Sequence, residues 1–241
     1  MKLPAQLKVK IFADGADLKG IATLAANPLI KGFTTNPTLM RKAGVADYGA
    51  FALEILKIIG GRPVSFEVFS DDFSEMEKQA RVIAGWGRNV YVKIPVTNTR
   101  REFAGDLIRR LSGAGVQLNV TALTTNDQVK AVLGCLSPDT ASCISVFAGR
   151  VADTGRDPLP FMAEAVKIIS TNAKAELIWA SPRELLNIFH ADQVGCHIIT
   201  VTHDILGKLA LVGKDLGEYS LDTVKMFYND AVAAGFRIET K

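Results

Sequence analysis

The sequence predicts an α/β protein, a (β/α)8 barrel with one additional C-terminal helix, in a single domain over residues 1–241. Three observations carry this. Eight short β-branched runs recur about every 25 to 30 residues, and helically spaced stretches separate them, the alternation of repeated βα units. A chain of 241 residues with 48% apolar content suits one such barrel with a large core. The rival fold, an open doubly wound sheet, would need a glycine fingerprint after its first strand, and none is there.

The elements follow in order. The runs are VKIFA (9–13), KGFTT (31–35), VSFEVF (64–69), VYVKIPV (90–96), VQLNVTAL (116–123), CISVFA (143–148), AELIWA (175–180) and CHIITVT (196–202). Helical spacing marks 47–59, 72–85, 100–112, 126–135, 158–171 and 184–192. Asp47, Asp72, Thr99, Asn126 and Asp204 are placed to accept from the first free amides of the helices they precede. The lone GxG, Gly113 to Gly115, precedes the fifth run and reads as a helix C-cap. A last amphipathic stretch, 220–234, has no strand after it, so it must pack over the barrel or against a neighbouring subunit.

Strand side chains alternate between faces, which assigns each residue to the helix layer or the barrel interior. Val64, Phe66 and Val68 form an outward apolar set, leaving Ser65 and Glu67 pointing in. Val92 and Ile94 face outward, so Tyr91, Lys93 and Pro95 face in. Leu118, Val120 and Ala122 face outward, so Gln117, Asn119 and Thr121 face in. The same rule turns inward Phe12 and Asp14, Ser145 and Phe147, and Trp179 and Ser181. Asp14, Asn36, Glu67, Lys93, Asn119, Thr121, Ser145 and Ser181 thus gather inside one barrel, mostly at the carboxyl ends of strands, where barrel enzymes place their chemistry. For most of them a bland role, as a helix cap or a good strand former, competes. Lys93 is harder to explain that way, because an ammonium taken out of water costs several kcal/mol unless paired. Its structural alternative is an ion pair with Glu67 and no chemistry.

Composition narrows the function classes. The formal charge of +3 is spread without a basic run or interleaved aromatics, which argues against a nucleic-acid partner. No stretch approaches the roughly 18 apolar residues of a membrane span, and the start, MKLPAQLKVKIF, has no leader pattern, so a cytoplasmic protein is expected. Cys135, Cys143 and Cys196 lack CxxC spacing and sit in apolar surroundings, as packing thiols do. His190, His197 and His203 lack metal-motif company, so neither a metal nor another cofactor is expected.

Seven segments, in order and on the expected strands, resemble the transaldolase family, including its fructose-6-phosphate aldolase branch. They are FADGAD (12–17), GFTTNPT (32–38), FEVF (66–69), VYVKIPVT (90–97), LNVT (118–121), SVFAGRVAD (145–153) and ASPR (180–183). The resemblance runs from about residue 9 to 230 and implies a Schiff-base lysine on the fourth strand, where Lys93 falls. It implies that Glu67 and Thr121 hold a proton-shuttling water and that Asp14 takes the proton of the sugar C4 hydroxyl. Asn36 and Asn119 would bind the dihydroxyacetone hydroxyls, with Ser145 and Thr34 as further contacts. Arg150 and Arg183, helped by Ser181, would hold a sugar phosphate. Burial favours the neutral, nucleophilic form of an amine, which suits the lysine's part.

Glu67 and Phe147 resemble transaldolases, whereas the aldolase branch carries glutamine and tyrosine there, so transfer to an aldose acceptor is expected over release of free dihydroxyacetone. Pro182, and His203 with Asp204, depart from the family pattern. They imply an altered acceptor end that could take another anionic group such as a sulfonate. The likeness and the leftover terminal helix suggest a homo-oligomer. A silent sugar-phosphate-binding protein and a non-covalent isomerase are the readings from other classes. The first need not keep Lys93, Glu67 and Asp14 together, and the second leaves a buried lysine beside Glu67 without a purpose.

Overall fold

The computed structural model describes residues 3–240; Met1 and Lys2, the first residues of the start read for a leader, and Lys241, the last of the expected domain, lie outside the described residues. Eight parallel strands close into a barrel in sequence order: β1 (Lys10–Asp14), β2 (Ile30–Thr34), β3 (Val64–Glu67), β4 (Val90–Pro95), β5 (Leu118–Leu123), β6 (Ser142–Val146), β7 (Ala175–Trp179) and β8 (Ile198–Thr202). β8 returns to β1 with Thr202 opposite Asp14, so residues from the two ends of the barrel sequence become neighbours. The helices of the outer layer are α1 (Leu18–Ala25), α2 (Pro37–Lys42), α3 (Tyr48–Ile58), α4 (Phe73–Ala84), α5 (Gly105–Gly113), α6 (Asn126–Leu133), α7 (Ala148–Ala152), α8 (Pro158–Ile169), α9 (Leu186–Gln193) and α10 (His203–Gly207).

Two apolar clusters divide the molecule as strand alternation requires. The larger lies between strands and helices and takes Val64, Phe66, Val92, Ile94, Leu118 and Val120. The smaller fills the barrel with Phe12, Cys143, Ile178, Ala180 and Ile198, and Tyr91 and Phe147 pack on it. Two residues further along these strands the inward positions turn polar, at Asp14, Lys93, Ser145 and Thr200. An apolar plug therefore supports a polar layer at the carboxyl ends. Gly32 makes room for that plug, since a Cβ there would lie 2.5 Å from the Phe12 ring. All three cysteines are free and buried, and burial pushes the Cys196 thiol up to about 12.

Four local expectations are corrected. Trp179 is fully buried in the outer cluster, with Ile178 and Ala180 as the inward residues of β7; Ser181 reaches the interior because the chain leaves the strand there with φ +61°. Ala122 does not face the helices. The β5–β6 register shifts between Val120 and Leu123, Ala122 takes φ +67°, and the bulge turns it toward the open end of the barrel while Leu123 is buried outward. The helix expected from residue 100 begins only at Gly105, because Asn98 to Glu102 form a turn with Arg101 at φ +67°; Thr99 binds Asp71 there and caps nothing. Finally, Thr125 rather than Asn126 caps α6, through a reciprocal box with Gln128, and Asp204 lies in the first turn of α10, whose N-cap position is Thr202. Asp47 and Asp72 cap α3 and α4 as read.

The terminal helix α11 (Leu216–Ala233) starts slightly earlier than expected, capped by Asp215. It buries none of its residues and exposes Val224, Phe227, Tyr228 and Val232. Among the described residues no helix is long and apolar enough to cross a membrane.

Candidate active site

The polar layer opens into a cavity of about 490 Å³ at the carboxyl ends of the strands. All twelve residues singled out from the sequence line it: Asp14, Thr34, Asn36, Glu67, Lys93, Asn119, Thr121, Ser145, Phe147, Arg150, Ser181 and Arg183. Strand register aligns several of them, with Glu67 opposite Lys93 on β3–β4 and Lys93 opposite Asn119 on β4–β5.

Lys93 is 7% exposed. Its Nζ lies 2.9 Å from Glu67 Oε2 and donates to the Thr35 carbonyl at 3.0 Å. The ion pair that a non-catalytic reading requires is therefore present. Glu67 is held from behind, since the Tyr48 hydroxyl donates to its carbonyl at 3.1 Å and accepts from its N–H at 2.7 Å. On the other flank of Lys93, Thr121 has a buried hydroxyl with no partner among the described residues.

Asp14 faces this group from β1. Thr34 Oγ1 donates to it at 2.7 Å and Asn36 Nδ2 at 3.3 Å, and Thr34 in turn shares a hydrogen bond with Thr200. Burial pushes the Asp14 carboxyl above the usual value of 3.8, opposed by the positive Lys93, the Thr34 hydrogen bond and His203. Asn36 also serves the bland role foreseen for it, because its Oδ1 accepts from Leu39 N–H and caps α2. Asn119 is fully buried between two serines: it donates to Ser65 Oγ at 2.9 Å and accepts from Ser145 Oγ at 2.7 Å. Its second amide N–H remains for another acceptor.

At the rim, the Arg150 guanidinium stands 5.7 Å from the Phe147 ring centroid and makes no ion pair among the described residues. Arg183 is more committed. Its Nε donates to Asp153 Oδ1 at 2.8 Å, its Nη2 pairs with Asp153 Oδ2, and its Nη1 donates to Ser181 Oγ at 3.0 Å. Hydrogen bonding from Arg183 holds the Asp153 carboxyl below the usual carboxylate range.

Sequence reasoning did not select Tyr48, Asp153, Thr200 or Thr202. The two threonines read as ordinary strand formers, and the other two act on residues distant in sequence, so no local pattern marks them. Among the described residues no three His, Cys, Asp or Glu side chains form a group that could hold a metal ion.

Comparisons with known proteins fit this geometry. The chain is 36% identical over 199 residues to a protein of Dehalococcoides mccartyi named "Probable transaldolase", covering 82% of this chain and 88% of that protein. It is 34% identical over 204 residues to "Probable transaldolase 2" of Listeria monocytogenes, covering 83% and 88%. A Burkholderia cenocepacia structure superposes with TM-score 0.59 at 13% identity, over 96% of this chain and 85% of that chain, which speaks for the fold alone. The sequence profile described as Transaldolase/Fructose-6-phosphate aldolase matches residues 11–238. With nearly the whole barrel covered, the chain belongs to the transaldolase/fructose-6-phosphate aldolase family.

Proposed function

We propose that this protein is a transaldolase-type transferase that moves a dihydroxyacetone unit from an anionic ketose to an aldose acceptor through a Schiff base on Lys93. The observation that carries the reading is a sequestered amine, 2.9 Å from a carboxylate, in one cavity with a second, half-buried carboxylate and a rim of two guanidinium groups. An ion pair kept for packing alone gives no account of Asp14 or of the unpartnered Thr121 hydroxyl beside it.

In this mechanism the Lys93 ammonium passes a proton to Glu67, and the neutral amine attacks C2 of the ketose to give a carbinolamine. Loss of the C2 oxygen as water leaves an iminium; Glu67 and Thr121 relay the protons, a contribution of about two to four orders of magnitude for positioned acid–base groups. Asp14 takes the proton of the C4 hydroxyl, the C3–C4 bond breaks, the aldose leaves, and the bonding electrons pass into the iminium to form an enamine. Asn36 and Asn119 hold the hydroxyls of the retained three-carbon unit, with Thr34 and Ser145 as supports. An acceptor aldehyde then reverses the sequence. Arg150, Arg183 and Ser181 take the anionic end of the sugar, for which guanidinium forks are suited.

Phe147 supports transfer over release, because it offers no hydroxyl near the enamine to protonate it. The exposed apolar residues of α11 support a homo-oligomer as the working form, with a second copy of the chain covering that helix. The catalytic reading is tested with fructose 6-phosphate and borohydride, followed by intact mass and peptide mapping. A reduced adduct on Lys93, absent from Lys93→Met together with turnover, is expected. An unmodified Lys93, or an active Lys93→Met variant, overturns it.

A further inference from the structure

His203 lies one residue beyond Thr202, which pairs with Asp14 across the β1–β8 seam. The imidazole does not line the cavity; it sits behind the β1–α1 turn, against two glycines. A Cβ on Gly15 would come within 2.7 Å of His203 Nε2, and one on Gly20 within 2.5 Å of Cε1. Both positions are thus emptied of side chain where the ring rests. His203 Nε2 is buried with no hydrogen-bond partner among the described residues. We propose that His203 is a positioning residue for Asp14: its ring, seated on Gly15 and Gly20, fixes the turn that aims the carboxylate for the C4-hydroxyl proton transfer.

This inference rests on the Schiff-base reading and deepens it. The charged groups around the pair are few. Lys93 from β4 and Glu67 from β3 act on Asp14 from the cavity side, and His203 acts on it from β8–α10. Asp17 from the β1–α1 turn has Oδ2 within 2.9 Å of the point where a Gly20 Cβ would stand, beside the ring, and Asp204 follows His203 on α10. When Lys93 becomes an iminium and then a neutral enamine, its ammonium no longer faces Asp14, whereas the imidazole keeps its place.

The test uses the full chain, fructose 6-phosphate as donor and erythrose 4-phosphate as acceptor. Wild type, His203→Gln and Gly15→Ala are compared by borohydride trapping and by kcat and KM across pH. For His203→Gln we expect trapping at the wild-type rate, KM within about twofold and a kcat lower by about ten- to a hundredfold. Gly15→Ala, which must displace the ring, should lower kcat with trapping intact. An unchanged kcat in His203→Gln, or a loss falling equally on trapping and turnover, overturns the role. If His203→Gln does not fold, Gly15→Ala decides, and an unchanged kcat there overturns it. Failure of wild type itself to be trapped removes the Schiff-base reading and this inference with it; normal wild-type trapping with an indifferent His203→Gln removes this inference alone.

Discussion

Asp14 is half-buried among hydrogen-bond donors, yet loss of water around the carboxyl outweighs them and it stays above the ordinary value of 3.8. The unfolded chain ionises this group nearer that value, so the folded state disfavours the anion. Its contribution to stability is therefore fully present below about pH 4 and is lost as pH rises through the higher folded value. Asp14→Asn should accordingly abolish most turnover, by about two to four orders of magnitude, while raising Tm near pH 7.5 and leaving it unchanged near about pH 3.5. Calorimetry at the two pH values checks the sign. Phe147 sets a second residue-level expectation. Phe147→Tyr should increase free dihydroxyacetone released per transfer event, read by a coupled assay with and without acceptor, and an unaltered ratio would count against the role given to Phe147.

At the scale of elements, the anion-binding rim depends on a close crossing between α7 and the chain leaving β7. Gly149 N–H approaches the Ala180 carbonyl at 3.5 Å, and a Cβ on Gly149 would lie 1.6 Å from the Ser181 carbonyl oxygen. That crossing brings Arg150 on α7 to the same rim as Ser181 and Arg183. Backbone cannot retreat as a flexible side chain can. Gly149→Ala should therefore destabilise the protein by about 3 kcal/mol, the upper part of the overpacking range, and raise KM for the phosphorylated donor more than it lowers kcat. Urea denaturation and steady-state kinetics with fructose 6-phosphate measure the two effects.

For the whole molecule, α11 stands apart from the barrel in how it is stabilised. It is well capped, but with no buried residue it gains little from tertiary packing within its own chain. Under the homo-oligomer proposal a second copy supplies that packing. Sedimentation should show an oligomer for residues 1–241 and a smaller species for a chain ending at Lys214; equal sizes would refute a role for α11 in assembly. Because the barrel closes without α11, the shortened chain should still melt cooperatively.

The eight strands, the inward parity at Ser65, Glu67, Lys93, Asn119 and Ser145, and twelve of the residues lining the cavity were legible in short windows of sequence. Alternation of period 2 and helix caps depend on neighbours a few residues apart, so the chain writes them locally. What tertiary structure alone decided depends on distant chain segments or on backbone that breaks the alternation. The bulge at Ala122 and the positive φ of Ser181 changed which way side chains face, and with Ile178 and Ala180 inward Trp179 went to the outer core. The Arg183–Asp153 pair, the Tyr48 brace on Glu67 and the seat of His203 on Gly15 join residues 19 to nearly 190 positions apart. Only closure of the barrel, which sets β8 against β1, brings the most distant of them into contact.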